Sequence, residues 1–365
     1  MSLYNCDPAL FGPIQELQQD LKKAGFQPPV LCTQQAFPLL LAGVPAMRKT
    51  PGLATPEDLG KEYYTTIPFC RDSEGTDLAR THLKEVFGYT DCQSLVAFSR
   101  NNLNLHQQYM DFESFWEDRP VFSLDELEPE AREVFTACSD FARQFQPIVG
   151  RRGFIAWDIS ENLGHLRAAF ACRVITKQEY DQLSQYWINQ ASAFQSWNQF
   201  AVDLVCGAAF LAYRMGSELE EIIEYVQLNI RVVKQLLGEK NAWCGRMWWN
   251  PAGAKRLRLS PAEIRPLLGA WAGQPGCLVS DRIVVDGKPV GYCYREAPAE
   301  GRPDSGWRFF AGDEDESYLS DASHTGIYHL NTLCNYDSEV LPLLNSPVGS
   351  AFGRDEAGIL RPVTE

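Results

Sequence analysis

Residues 282–295, Arg-Ile-Val-Val-Asp-Gly-Lys-Pro-Val-Gly-Tyr-Cys-Tyr-Arg, mark the point at which the apolar spacing of the sequence changes from helical to alternating. Two short apolar runs around Asp286-Gly287 are typical of strands joined by a tight turn, because Asp-Gly readily adopts the positive φ angles of such turns. We therefore predict a β-hairpin here. Residues 306–311 and 326–330 predict further strands, so that the tail forms a small α+β domain with a β-hairpin-containing sheet.

The residues before this tail predict a mainly α-helical N-terminal part, arranged as an antiparallel helical bundle. Three segments fit the capping box, in which Ser or Thr begins a helix and Glu or Gln follows three residues later; they are 176–179, 196–199 and 217–220. Ser260-Pro-Ala-Glu263 predicts one more helix start. Less regular apolar spacing predicts short helices at 15–24, 34–42, 56–63, 76–87 and 128–145.

A chain of 365 residues exceeds what a single hydrophobic core usually organises, so we expect a multidomain protein. The change in apolar spacing from helical to alternating indicates where the domain boundaries lie. We predict a helical N-terminal region at 1–150 and a helical bundle core at 151–238, which together form one α domain. A connector with one helix at 239–274 and an α+β domain at 275–365 complete the chain.

The chain is acidic, and its negative charge is unevenly distributed along the sequence. The formal net charge is −14, which argues against binding to nucleic acid or to an anionic membrane, because both attractions depend on clustered Lys and Arg. From Pro275 onward 7 Lys and Arg residues stand against 15 Asp and Glu residues. We therefore expect a cationic partner for the tail.

The cysteines and the first residues bear on location. The 11 cysteines are scattered without a C-x-x-C pair, which predicts buried, reduced thiols and neither a disulfide framework nor a zinc site. The first residues carry neither a basic region nor an apolar one, and no apolar run is long enough to cross a membrane. We expect a cytoplasmic protein without cofactor or metal.

The stretch from residue 154 to residue 237 carries a set of motif positions. They are Ala156-Trp157-Asp158-Ile159-Ser160, Arg167, Ile175-Thr176 with Glu179, Ser196-Trp197, and Gly207. With these positions the stretch resembles the bacterial helical family known as the domain of unknown function twelve sixty-six. The chain departs from the family in carrying Glu161 and Asn162 where a basic residue is expected.

The tail carries a denser set of motif positions. They are 279–282, Val290-Gly291-Tyr292, the run 304–314 that includes Ser305, Gly306 and Trp307, Ile327-Tyr328, Leu330-Asn331-Thr332, and the run 347–352 that includes Pro347 and Gly349. From residue 276 to its end the chain thereby resembles the immunity protein thirty-three-like family, or domain of unknown function twenty-one eighty-five. The resemblance implies an α+β domain in a bacterial protein that binds a cognate toxin and protects the cell producing it.

Asp158, Asn162 and His165 are spaced to share one face of a helix, with Arg167 nearby. Such a polar face is typical of a ligand or proton-transfer site, and it supports an alternative function as an enzyme of unassigned chemistry. In the simpler interpretation Asp158 caps a helix or pairs with Arg167, and His165 is a buried bundle residue. The sequence contains no phosphate-binding loop, no Rossmann fingerprint, no H-E-x-x-H and no G-x-S-x-G motif.

Two further segments are candidates for partner binding. The run Asp313-Glu314-Asp315-Glu316 predicts a loop that presents carboxylates to a basic toxin surface, or else a solvated turn that protects a strand edge. Trp248 and Trp249 either anchor a partner or join the two domains.

Taken with the resemblance, these features predict a cytoplasmic immunity protein that neutralises a cognate toxin by protein–protein contact and is not an enzyme. A scaffold that binds two partners, one through each part of the chain, is a third alternative.

Overall fold

The computed structural model describes residues 7–23, 31–48, 73–238, 242–249, 255, 257–269, 271, 273–299, 301 and 303–363. The chain divides into two compact units, residues 1–251 and 252–365. The division falls within the stretch predicted as a connector. A helical part followed by an α+β part confirms the predicted fold class, while the predicted helix at 56–63 lies outside the described residues.

The first unit is helical throughout its described part. Among the described helices of both units, none is long and apolar enough to cross a bilayer. In chain order the helices are α1 (Pro8–Lys23), α2 (Phe37–Leu41), α3 (Gly43–Arg48), α4 (Ser73–Phe87), α5 (Cys92–Asn102), α6 (Leu105–Trp116), α7 (Pro129–Arg143), α8 (Gln146–Val149), α9 (Ile155–Ala171), α10 (Lys177–Gln190), α11 (Trp197–Arg214) and α12 (Leu219–Leu237).

Helices α9 and α11 form the centre of this unit, since most residues of both are buried. They approach closely where Gly207 of α11 lies against Trp157 of α9, and a Cβ at position 207 would lie 2.5 Å from the Cβ of the tryptophan. The glycine is therefore required by packing. The amphipathic α12 buries Ile222, Val226 and Val233, which share one face of the helix.

The predicted helix starts are observed, with one shift. The Thr176 hydroxyl accepts from the Glu179 N–H while the Glu179 carboxylate accepts from the Thr176 N–H, so this capping box is confirmed. Ser196 caps α11 through the Gln199 N–H. The third box was predicted one residue early, because the Glu221 carboxylate accepts from the N–H of Glu218.

The second unit contains six strands and three short helices. The strands are β1 (Gly276–Ser280), β2 (Tyr292–Arg295), β3 (Asp304–Phe310), β4 (Thr325–His329), β5 (Ala351–Arg354) and β6 (Leu360–Pro362); the helices are α13 (Asp281–Val284), α14 (Glu316–Ser320) and α15 (Leu330–Tyr336). The strands form one mixed sheet in the order β4-β1-β3-β2-β5-β6. Strands β1 and β3 are parallel, and the other neighbours are antiparallel.

The predicted β-hairpin around Asp286-Gly287 is wrong. Residues 281–284 form the one-turn helix α13, which the Ser280 hydroxyl caps by accepting from the Arg282 N–H at 3.3 Å. Gly287 has a φ of 77° and turns the chain after this helix. Strand β2 pairs with β3 and β5, so it has no hairpin partner in residues 282–285. The helix predicted at Ser260 is a single 3-10 turn, Pro261–Glu263, although its capping box is present.

The sheet contributes one face to the core of the second unit. Alternate residues such as Cys277, Trp307, Phe309 and Phe352 are buried against the side chains of α13 and α15. The intervening residues of the same strands contribute nothing to this core. Helices α13 and α15 therefore pack on one face of the sheet.

Candidate partner-binding surface

Three family-motif residues of β3 stabilise the core side of the sheet. The Ser305 hydroxyl donates to the carbonyl of Gly276 at 2.6 Å, which ties β3 to β1. Gly306 has a φ of 80°, and a side chain there would collide with the carbonyl of Glu296. The Trp307 ring is buried, and its Nε1 donates to the carbonyl of Leu344 at 3.2 Å. These positions maintain the strand geometry.

Asn331 of α15 holds an extended segment against the helix. Its Oδ1 accepts from the N–H groups of Leu267 at 2.7 Å and Leu268 at 3.1 Å, and its Nδ2 donates to the carbonyl of Arg265 at 2.8 Å. Asn335, one turn later, accepts from the N–H of the same arginine at 2.8 Å. The asparagine of the Leu-Asn-Thr motif therefore satisfies backbone groups that no strand partner reaches.

The Pro347–Gly349 motif positions belong to the loop that enters β5. Gly349 has a φ of 91°, and its N–H donates to the carbonyl of Arg295 at 2.7 Å. The guanidinium of Arg295 in turn donates to the carbonyl of Ser346 at 2.6 Å. Pro347 itself is exposed. The loop is thus anchored at its base, with its tip in solvent.

The acidic run has local partners for most of its carboxylates. Asp313 forms an ion pair with Lys288, which lowers the pKa of the carboxyl. Glu314 accepts from the N–H groups of Ala311 and Gly312 at 2.8 Å each, and hydrogen bonds lower its pKa although burial opposes the shift. Asp315 caps α14 through the Tyr318 N–H at 2.8 Å. Glu316 begins α14 and is exposed.

The face of the sheet opposite the core is the surface that the sequence interpretation missed. Tyr292 lies opposite Phe310 in the β2–β3 ladder, Tyr294 lies opposite Arg308, and the rings of Tyr294 and Phe310 stack at 6.2 Å. Ile327 of the edge strand β4 is 75% exposed and Tyr292 is 38% exposed. The alternation of Tyr292 with buried Cys293 was the available sequence signal. We call this surface the open sheet face, defined by Leu278, Tyr292, Tyr294, Arg308, Phe310 and Ile327.

In the helical unit, Trp248 and Trp249 lie next to an aromatic cluster. The Trp248 ring is 9% exposed and lies 5.0 Å from Phe37 and 4.8 Å from Trp197. The half-buried Trp249 ring lies 5.7 Å from Phe37. Trp197 also stacks on Trp243 at 4.8 Å. Of the two candidate anchors, Trp249 has the more accessible ring.

The polar face of α9 is buried against the chain around α5 and α6. The two Asp158 oxygens accept from the N–H groups of Leu105 and His106 at 2.9 Å each, so this carboxyl caps α6 from a neighbouring helix. Burial raises the pKa of Asp158 to about 8 against the effect of these donors. Asn162 donates to the carbonyl of Leu103 at 3.1 Å.

His165 completes this face without opening toward solvent. Its Nδ1 lies 2.7 Å from the Tyr89 hydroxyl, and its ring packs edge-on against Phe87 at 4.9 Å. Arg167 is buried in the same helix, close enough to lower the pKa of the Tyr180 phenol against the stronger effect of burial. These side chains therefore have structural partners, as in the simpler of the two sequence interpretations.

Metal binding has no support in the part of the chain that the structure describes, where no group of three or more His, Cys, Asp or Glu side chains is arranged to hold an ion. The described cysteines are free thiols, among them the buried Cys277, Cys293 and Cys334. Burial raises the pKa of each of these three thiols. Neutral, buried thiols of this kind are poor nucleophiles.

Comparison with known proteins gives one match. No curated protein and no solved structure matches the chain. The resemblance of the central helices to the domain of unknown function twelve sixty-six gains no support and stays a prediction. The model of the immunity protein Imm33 domain matches residues 277–364. The match covers the whole sheet except the first residue of β1, so the C-terminal part of this chain is similar to an immunity protein domain, as the sequence resemblance implied.

Proposed function

We propose that this chain is an immunity protein that binds a cognate bacterial toxin and neutralises it by protein–protein contact. The observation that carries the proposal is the match of the immunity protein Imm33 domain to residues 277–364. That segment belongs to a compact unit with a core of its own, so it can present a defined surface. Rigid surfaces favour tight binding because less conformational entropy is lost on association.

The motif residues support a binding role over a catalytic one. Ser305 and Asn331 direct their polar groups to backbone partners in the core side of the unit. In the helical unit Asp158 and His165 likewise have buried partners. A catalytic group must reach a substrate, whereas Ser305, Asp158 and His165 are buried and the half-buried Asn331 is engaged with backbone groups.

The charge of the C-terminal part supports a basic partner. The excess of carboxylates from Pro275 onward favours encounter with a cationic toxin surface in the cytoplasm, where we propose that the protein acts. Glu316 is the member of the acidic run best placed to contribute, since it is exposed and follows the capping Asp315. We propose Trp249 as a secondary contact, since its ring is more accessible than that of Trp248.

The test is protection followed by binding. Each gene that neighbours the gene of this chain is expressed in a susceptible host, alone and together with the chain, and growth is measured; a product that stops growth when expressed alone is tested as the cognate toxin. We expect growth only with both. Purified toxin and the full chain should then form a 1:1 complex by calorimetry. Absence of both protection and binding would refute the proposed function, whereas turnover of the toxin or of a small molecule would favour the enzyme alternative.

A further inference from the structure

We propose that the open sheet face is the surface with which this chain binds its toxin, and that the contacted toxin surface is basic. The inference rests on the proposed function, because it names the contact surface of the same interaction. The proposal gives the two faces of the sheet different roles. The core face is occupied by the helices of the unit, and none of the described core residues comes from the opposite face.

The composition of the open sheet face is that of an interface. Its centre holds Tyr292, Tyr294 and Phe310, and the central cation is an arginine, Arg308. Aromatic residues and Arg are the side chains enriched in interface centres. They are carried by neighbouring strands of a sheet, so little conformational freedom remains to be lost when a partner binds.

The residues of β5 that lie opposite the two tyrosines are small. In the β2–β5 ladder Tyr292 lies opposite Gly353, and Tyr294 lies opposite Ala351. Two large rings therefore stand beside two positions with almost no side chain. The space beside Gly353 is partly filled by Val363, whose Cγ2 would lie 3.0 Å from a Cβ at position 353 and which is itself 48% exposed. This side chain adds an exposed apolar contact next to the tyrosines.

The charges on the face favour a basic partner. The Arg308 guanidinium binds both Asp304 at 2.8 Å and Glu296 at 2.7 Å. Arg361 of β6 is paired with Asp355 at 2.5 Å. Each arginine is thus already neutralised, and the carboxylates outnumber the cations in these pairs. Both of these described arginines are compensated by carboxylates, and the acidic unit around the face accelerates the approach of a basic toxin surface.

The experiment measures the affinity of the full-length chain for the purified product of the neighbouring toxin gene. Tyr292→Ala and Tyr294→Ala are each expected to raise the Kd at least tenfold through faster dissociation. Tyr186→Ala is the matched control, since this tyrosine is 56% exposed on α10 of the helical unit, and its Kd should stay within about twofold of the original. Circular dichroism and hydrogen exchange verify that each variant is folded.

Two substitutions of opposite charge at Ile327 test whether the partner surface is basic. Ile327→Lys and Ile327→Glu remove the same apolar surface from the most exposed residue of the face, so neither disturbs the core. A basic partner predicts that the lysine variant binds about fivefold more weakly than the glutamate variant at low salt, with the difference shrinking as salt is added. The reverse order would overturn the assignment of a basic partner.

Other outcomes identify other occupants. If the chain protects cells and binds the toxin but the open-face variants bind like the original, the proposed function stands and this inference fails. If the chain neither protects nor binds, both fail. Hydroxyl-radical footprinting of the free chain provides a further check. Protection of Tyr292 and Tyr294 before toxin is added would mean that the face is covered by the chain itself or by a second copy, which also overturns the inference.

Discussion

Replacing Asn331 by alanine should destabilise the C-terminal unit without weakening toxin binding by the folded chain. The side chain makes three hydrogen bonds to the backbone of residues 265–268. Each is worth a net 0.5–1.5 kcal/mol. Alanine leaves the N–H groups of Leu267 and Leu268 without this partner, whereas the Arg265 carbonyl keeps its hydrogen bond from Asn335 at 2.9 Å. We therefore expect the free energy of unfolding of this unit to fall by about 2–4 kcal/mol.

The assay must isolate the unit, because a chain of two compact units need not unfold in one step. Hydrogen exchange of peptides from residues 257–363, followed across a denaturant series, reports the stability of this unit alone. Asn345→Ala is the matched control, since Asn345 is exposed in the same unit and its loss should change stability by less than about 0.5 kcal/mol. Asn331 belongs to a helix on the core side of the sheet, so the Kd of the folded variant should stay within about twofold of the original. A loss of stability below about 1 kcal/mol, or a toxin Kd raised tenfold in folded protein, would refute the structural role given to this motif residue.

Three further changes test other parts of the structure. Hydrogen bonds with Arg308 lower the pKa of Asp304, so the ionised carboxylate stabilises the fold above the unfolded pKa near 3.8, and this contribution is lost as the pH falls further. Asp304→Asn should therefore lower the stability of the C-terminal unit at pH 7 and make it depend less on acid, as measured by hydrogen exchange after a pH jump. An unchanged acid profile would contradict this. Asp158→Asn replaces one of the two accepting oxygens by an NH2 group, which cannot accept from the backbone N–H of α6 that it faces. The free energy of unfolding of the helical unit, measured by thermal unfolding, should fall by about 1–3 kcal/mol. Gly207→Ala forces α9 and α11 apart and should cost about 1–3 kcal/mol. Gly12→Ala in α1 is its control, because nothing lies within 4 Å of the added methyl group and helix propensity favours alanine; equal effects of the two substitutions would contradict the packing argument.

Helix starts were readable from the sequence because their signals are local. Thr176 and Glu179 lie three residues apart, and their mutual hydrogen bonds need nothing from elsewhere in the chain. The shift of the third box to Glu218 has the same origin, since neighbouring polar residues offer alternative caps and the sequence does not rank them. Local signals therefore gave the helices to within a residue or two in this region.

The error at Asp286-Gly287 arose because the same local signal serves two structures. A glycine with positive φ closes tight hairpins and also ends helices. The short apolar run Ile283-Val284 is buried in the core, and a run of this length has the same composition in a strand or in one helical turn. The deciding interaction is nonlocal, because β2 finds its partners in β3 and β5.

The candidate site was harder to predict than the fold because the family-motif runs contain residues of both faces of the same strands, and the motif alone does not tell core positions from contact positions. In β3 the motif residue Trp307 is buried, whereas Arg308 and Phe310 are directed away from the core. A family motif rich in such core residues specifies how the sheet is built. The choice of partner then depends on the alternate residues, whose side chains can change without disturbing the core. On this argument the match to an immunity domain explains the scaffold, and we propose that Tyr292, Tyr294 and their neighbours select the toxin.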